Sequence, residues 1–262
     1  MILTVSDLSV TYAGPDGYVH ALNGVSFDVK EHEILGLVGE SGSGKSTFAL
    51  ALLGLLPSDA GVEGTALFEK SNILLADEKQ KRTLRGNKIS MVFQEPASSF
   101  NPVLSIGYQF DEFLRCRFPA HADRARRREL IADSLAKVHL PEAGRILKSY
   151  PHQLSGGQLQ RVAIAMAIAL KPALLIADEP TSSLDVTIES QIIHLFQELQ
   201  KNLDLTIIFI THNLDLVRVL CDRVVVLSRG VVREVSPTTT IFARPHDAYT
   251  QQLLNSFKEL EG

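Results

Sequence analysis

Apolar residues fall in short runs over the first third of the chain, separated by glycine-rich breaks. Leu3 to Tyr12, Val25 to Val29 and Ile34 to Val38 predict strands, with Ala13-Gly14-Pro15-Asp16-Gly17 as turn material. A helix is expected from Lys45 to about Leu56, ended by Pro57, and a further strand around Ile89 to Phe93. From Ile106 to Ser149 the spacing turns helical, with Leu130, Ile131, Leu135 and Val138 at three- and four-residue steps. After that stretch α and β patterns alternate. Helices are expected over Gly157 to Leu170, Ile188 to Lys201 and Leu214 to Leu220; strands over Leu174 to Ala177, Leu205 to Ile210 and Val224 to Leu227. Continuous apolar strands between helices indicate a parallel sheet covered on both faces, hence an α/β fold. The helical stretch reads as a lobe inserted into one domain, and the residues from Ser236 as a short helical tail.

Composition narrows the class. The 262 residues correspond to about 1.7 domains of ordinary size. With 21% charged and 45% hydrophobic residues, the chain is expected to fold rather than stay disordered. A net charge of −4 argues against a global basic field that would recruit nucleic acid or anionic lipid. The longest strong apolar run, Val162 to Leu170, stops at Lys171-Pro172 and is far shorter than the roughly 20 residues a membrane-spanning helix needs. Cys116 and Cys221 form neither a metal-ligand spacing nor a disulfide framework, which fits a reducing cytosol. Met1 to Val5 reads as a strand, with no basic segment leading into a cleavable apolar one.

Gly39-Glu40-Ser41-Gly42-Ser43-Gly44-Lys45-Ser46 matches G-x-x-x-x-G-K-[ST] between an expected strand and an expected helix. Glycines let backbone N–H groups turn inward around phosphate oxygens, and the helix N-terminus adds positive potential. Lys45 supplies charge for the β- and γ-phosphates, and the Ser46 hydroxyl, followed by Thr47, suits Mg²⁺. Leu174 to Glu179 is an apolar strand ending in carboxylates. Such an end places Asp178 where it can hold Mg²⁺ through water and Glu179 where it can polarise an attacking water. A small-molecule kinase could carry both features.

Leu154-Ser155-Gly156-Gly157-Gln158-Leu159-Gln160-Arg161 separates the alternatives. A serine hydroxyl and glycine N–H groups at a helix start make a second anion cradle, where the alternative is a plain helix cap. One nucleotide does not need two cradles from one chain; two chains placed head to tail would each offer the second cradle to the other's γ-phosphate.

With these motifs in order, the sequence resembles the nucleotide-binding subunit of ABC transporters nearly end to end. The resemblance implies a RecA-like P-loop core with an N-terminal antiparallel β subdomain and an inserted α-helical subdomain. Its division would be a cassette over 1–235, with core 1–93 and 157–235, a helical subdomain at about 94–156, and a tail over 236–262. It further implies that Gln94 contacts Mg²⁺ and senses the γ-phosphate, that Asp185 in Ser183-Leu184-Asp185 crosses the dimer interface, and that His212 is the switch histidine on the γ-phosphate. Tyr12 matches the aromatic that stacks on adenine, with Tyr18 as the competing candidate. Phe93 to Pro102 and Pro245 to Leu254 are similar to the peptide/nickel importer branch, with Ala248 in place of a proline. Asn213 stands where the wider family has Asp, and Val235 where a glycine is common. Many peptide-importing members continue past the Pro245–Leu254 element with a cysteine-bearing extension; the short segment after Thr250 leans the cargo toward metal or metal chelates.

The implied function is ATP binding and hydrolysis, with Mg²⁺, to energise an importer of peptides or nickel and other metal chelates at the cytoplasmic face of the inner membrane. The implied partners are two transmembrane permease subunits, a second ABC ATPase (a paralogue or the same chain) and, indirectly, an extracytoplasmic substrate-binding protein, with no nucleic acid. The alternative is an ABC-type ATPase of a soluble complex such as phosphonate carbon–phosphorus lyase. A DNA-repair ATPase is disfavoured by acidity and by the absence of coiled-coil arms. Arg124, Arg126, Arg127 and Arg128 read first as a solvated helix face with Glu129 and Asp133 nearby. His246 stands without partners for a metal site.

Overall fold

The computed structural model describes residues 1–14, 17–118 and 123–260. Pro15 and Asp16 of the expected first turn, and 119–122 of the expected helical stretch, lie outside the described residues. Strands β1 (Leu3–Gly14), β2 (Gly17–Val29) and β3 (Ile34–Val38) precede α1 (Lys45–Leu53). Next come β4 (Gly61–Phe68), β5 (Ser71–Asn72), α2 (Glu78–Leu84) and β6 (Ile89–Val92). Helices α3 (Pro96–Ser99), α4 (Ile106–Arg115), α5 (Arg124–Lys137) and α6 (Ala143–Lys148) build the lobe, and α7 (Gly156–Ile168) leads back from it. The rest runs β7 (Leu174–Asp178), α8 (Val186–Leu203), β8 (Thr206–Thr211), α9 (Leu214–Leu220), β9 (Arg223–Ser228), β10 (Val231–Pro237), α10 (Thr238–Ala243) and α11 (Ala248–Leu260).

A four-stranded antiparallel sheet has the order β2-β1-β4-β5, and a six-stranded sheet the order β10-β9-β3-β8-β7-β6. In the larger sheet β9, β3, β8, β7 and β6 are parallel, and β10 joins antiparallel at one edge. Every residue of β3, β7 and β8 is buried, because both faces of these strands are covered. Alternate side chains feed two cores. Leu35, Leu37, Ile208 and Ile210 pack with α1 and the smaller sheet, whereas Leu175, Ala177, Ile207 and Phe209 pack with α7, α8, α9 and the lobe. Phe196 and Phe209 meet edge to face, with centroids 5.6 Å apart.

Several boundaries differ from expectation for local reasons. Helix α1 ends at Leu53, not near Leu56, because Gly54 adopts φ +58° and returns its N–H to the last turn; Pro57 is not the stop signal. Strand β4 buries only Ala66 and Phe68, and α2 buries nothing, so neither carries an apolar period. Helix α2 is instead announced by its capping box, Asp77 with Gln80. Strand β2 begins eight residues before Val25, its first half being mostly exposed. The tail starts at Thr238 rather than Ser236, because β10 continues through Pro237. Glu234 of β10, buried, accepts the N–H groups of His246 (3.1 Å) and Asp247 (3.1 Å) and so fixes the approach to α11. Among the described residues, no helix is long and apolar enough to cross a membrane.

Phe209→Ala removes a fully buried ring where α8 meets the central sheet. It is expected to lower the unfolding free energy by about 3–5 kcal/mol, read as a lower urea midpoint at unchanged slope.

Candidate functional site

The site lies over the carboxyl ends of β3, β8, β7 and β6, where parallel strands of an open sheet leave a crevice. β3 delivers the chain into the glycine loop under tight steric limits. A Cβ on Gly39 would stand 2.0 Å from the Leu227 carbonyl oxygen of β9, and one on Gly44 (φ +106°) 2.5 Å from that of Ala21 in β2. Only glycine lets the loop pass between these strands with this curvature. Lys45, the first residue of α1, folds its buried Nζ back over the loop and donates to the carbonyls of Gly39 and Glu40, both at 2.8 Å. Burial lowers the Lys45 pKa, and the carboxylates of Glu179 and Asp178 oppose that shift.

Each of the next three strands along the sheet delivers one polar side chain. Gln94 follows β6, Glu179 follows β7 and His212 follows β8. Glu179 lies between the other two. Gln94 Nε2 donates to its Oε2 at 3.1 Å, and His212 Nδ1 is 3.0 Å from its Oε1. The Glu179 backbone is left-handed at φ +44°, a strained region for a residue with a Cβ, and its N–H donates to the Ile210 carbonyl at 2.9 Å. Asn213 caps α9 by accepting the Asp215 N–H at 3.0 Å, and this anchors the chain just after His212; Asn serves the cap as Asp would.

Gln94, Glu179 and His212 line a cleft of about 750 Å³ together with Glu40, Ser41, Gly42, Gly44, Lys45, Ser46 and Thr47. Gly39 and Ser43 do not line the cleft; both accept from the Lys45 ammonium, at 2.8 Å and 3.4 Å. Ala21 of β2 also lines the cleft; it escaped the sequence reading because an isolated alanine on an exposed strand carries no chemical signal. Tyr12 is half-buried on β1 opposite Val19 and is not part of the lining, and Tyr18 is 79% exposed.

Asp178 is buried beside the loop. Its Oδ1 is buried with no hydrogen-bond partner. Burial raises its pKa; the neighbouring Ser46 side chain and Lys45 oppose this, and the Glu179 charge adds to it. An orphaned carboxylate oxygen, a serine hydroxyl and the amide oxygen of Gln94 form an all-oxygen donor set that suits a hard cation such as Mg²⁺. Among the described residues, no group of three or more His, Cys, Asp or Glu could hold a metal, so such an ion would rely on phosphate oxygens as well.

The second cradle lies elsewhere. Ser155 Oγ accepts the Gln158 N–H (3.3 Å), and Gln158 Oε1 accepts the Ser155 N–H (3.2 Å), a capping box that starts α7. A Cβ on Gly156 would meet Leu184 at an ordinary 3.4 Å, whereas one on Gly157 would stand 2.6 Å from Ile188, so Gly157 lets α7 approach α8 closely. Asp185 caps α8 through the Ile188 N–H at 2.9 Å. Ser155, Gly157 and Gln158 line a separate depression of about 370 Å³ with Arg145 and Arg161, and it shares no residue with the nucleotide-loop cleft.

This fold and cleft define a P-loop ATPase of the ABC cassette type. A family profile described as ABC transporter matches residues 22–182, and the chain belongs to that family. It is 43% identical over 258 residues to the probable peptide ABC transporter ATP-binding protein y4tR of Sinorhizobium fredii, covering 98% of this chain and 76% of that protein. It is 43% identical over 261 residues to the oligopeptide transport ATP-binding protein OppD of Salmonella typhimurium, covering 100% of this chain and 77% of that one. The dimeric post-hydrolysis structure of the ATP-binding cassette MJ0796 with ADP and Pi matches with a TM-score of 0.79 at 29% identity, over 90% of this chain and 98% of that one. The protein binds ATP and hydrolyses it as a transporter ATPase.

The raised pKa of Asp178 has a consequence for stability. A carboxyl whose pKa is higher folded than unfolded stabilises the fold most at low pH, and that contribution is lost as pH rises through the folded pKa. Without nucleotide, Asp178→Asn is therefore expected to melt a few degrees above the parent at neutral pH. The difference should vanish at acid pH, as followed by thermal denaturation across pH.

Proposed function

We propose that the chain is the ATP-hydrolysing subunit of a peptide importer, attached peripherally to the cytoplasmic face of the inner membrane and acting in a head-to-tail pair. The separation of the two depressions carries the reading of a pair. The glycine loop and the Ser155-Gly156-Gly157-Gln158 cradle share no lining residue within one chain, and in this reading a second copy or a paralogue supplies the cradle to each bound ATP. The dimeric form of the MJ0796 cassette supports this arrangement. Peptide cargo is supported by the relatives, which are named for peptides and oligopeptides; metal-chelate cargo draws no support from them.

In this reading Gly39 to Thr47 wrap the phosphates and Lys45 transfers its ammonium from the loop carbonyls to the β- and γ-phosphates. Ser46, Gln94 and Asp178 would hold Mg²⁺. When bound, that ion neutralises charge on the phosphate oxygens. Glu179 accepts a proton from the attacking water, and His212 holds the γ-phosphate end while orienting Glu179 Oε1. Gln94, attached both to Glu179 and to the start of the lobe, relays γ-phosphate occupancy outward. Asp185 stands at the pair's interface. Tyr12, on the strand next to Ala21, is the aromatic proposed for adenine. The cassette spans 1–235, with core 1–93 and 157–235, the lobe at about 94–156 and a C-terminal tail after it. Two permease subunits receive the motion of the lobe, and an extracytoplasmic binding protein brings the peptide to them.

Glu179→Gln is expected to retain ATP binding, cut turnover by about 10²–10⁴-fold and accumulate as an ATP-bound pair in size-exclusion chromatography. Parent-rate hydrolysis by that variant would remove Glu179 from the role of base. Co-purification in mild detergent is expected to recover two permeases, with peptide-stimulated ATPase after reconstitution. Recovery with soluble enzymes alone would instead favour the soluble-complex alternative.

A further inference from the structure

The arginines around the start of α5 divide into distinct groups once the side chains are placed. Arg127 turns inward: its Nε reaches Asp111 of α4 at 2.7 Å and its Nη1 donates to the Phe118 carbonyl at 2.9 Å. It thereby ties the end of α4 to the start of α5. Arg126 pairs with Glu129 at 2.8 Å, and Arg115 pairs with Glu112. Asp133, an expected counter-charge, is bound to Lys137 at 2.6 Å instead. Arg117, Arg124 and Arg128 are exposed and have no ion-pair partner within 4.0 Å among the described residues. The fields of Arg115 and Arg124 both reach Asp111, which places the end of α4 and the first turn of α5 at one corner of the lobe.

This corner is anomalous in two respects. From Arg115 to Arg128 the sequence holds six arginines and one acid, Asp123, within a chain of net charge −4. In addition, the first turn of α5 has no acidic residue, and its N-cap Asp123 makes no side-chain capping bond. Cations at a helix N-terminus oppose the macrodipole, so the placement costs helix stability, and only Arg126, through Glu129, and Arg127, through Asp111 and Phe118, make bonds in return. Local rules broken without structural gain mark functional surface.

We infer that Arg117, Arg124 and Arg128 form a docking surface for the anionic headgroups of a phospholipid bilayer. The partner follows from charge and shape. Arg117, Arg124 and Arg128 are exposed and unpaired among the described residues, and several separate like charges on one face suit a diffuse negative plane better than a single phosphate or carboxylate. The position also fits. Phe113 of α4 lines an apolar groove with Phe93, Phe100 and Met166, and Arg115 and Arg117 follow it at the helix end. A lobe presenting this groove to a membrane subunit would bring the arginines beside it to the lipid surface. The inference rests on the proposed peripheral attachment, yet it has its own readout in vesicles that contain no permease.

The full chain, nucleotide-free and at low ionic strength, is to be floated with phosphatidylcholine vesicles containing a minority of phosphatidylglycerol, and with phosphatidylcholine alone. Binding only to the anionic vesicles, and its loss on raising salt, is expected. Each single Arg→Gln change at 117, 124 or 128 should reduce partition about fivefold, and the triple Arg117→Glu/Arg124→Glu/Arg128→Glu variant about 100-fold or more. Basal ATPase should be unchanged, and the triple variant should melt no lower than the parent, since glutamate suits the α5 N-terminus. Equal binding to both vesicle types, or a triple variant that binds as the parent does, would overturn the inference. So would a triple variant that keeps vesicle binding but loses the permease in detergent, which would assign the arginines to an acidic protein surface. The single variants carry the test if the triple variant does not fold.

Discussion

Parallel pairing of β3, β8, β7 and β6 is the constraint on which the rest depends. Val38 lies opposite Thr211, and Asp178 opposite Ile210, so the strands end nearly level. The glycine loop, Glu179 and His212 therefore leave the sheet at one height, and Gln94 joins them from the next strand. No one of these side chains is close to another in sequence: Gln94 and Glu179 are 85 residues apart and meet at 3.1 Å. Burial of both faces holds the register, because a one-residue slip would exchange the Ile207 and Phe209 side with the Ile208 and Ile210 side.

That same burial sets the electrostatics of the site. Asp178 ends a wholly buried strand and Lys45 begins a helix packed against the sheet, so both charges are held where water solvates them poorly. Desolvation shifts their pKa values in opposite directions, toward the neutral form of each. The orphaned Oδ1 of Asp178 is a polar group that the fold alone leaves unsatisfied. Stability is thus given up at the place where a phosphate–cation ligand would restore it, the usual relation between a strained site and its function. The left-handed Glu179 belongs to the same pattern.

The lobe and the α7–α8 pair show how a motif can serve two ends. Ser155, Gln158 and Asp185 all have local bonds as helix caps, which fully account for them as structural residues. Gly157 permits the close α7–α8 approach, and Arg161 bridges from α7 to the Val138 carbonyl (2.8 Å) and to Gln191 (3.0 Å). The signature helix is therefore held rigidly against both core and lobe. A rigid cradle suits recognition of a ligand bound to another chain, since little ordering remains to be done on docking.

Periodicity alone determined the α/β class, the buried strands β3, β7 and β8 and the amphipathic helices, because these segments bury one or both faces and their composition records it. The glycine loop and the carboxylates after β7 were equally legible, since phosphate chemistry restricts residue type and spacing locally. Strand β4 and helix α2 were not, because they bury almost nothing and leave no apolar period. The half-buried Tyr12 could be matched as an aromatic, but its place outside the cleft lining depends on how the β1–β2 hairpin lies over the loop. Only the tertiary structure decided that Gln94 and His212 converge on Glu179, that the second cradle lines a different depression from the first, and that Arg127 turns inward while Arg117, Arg124 and Arg128 do not. Each of these is set by contacts between elements distant in sequence, and a pattern read along one chain contains no distances between its elements.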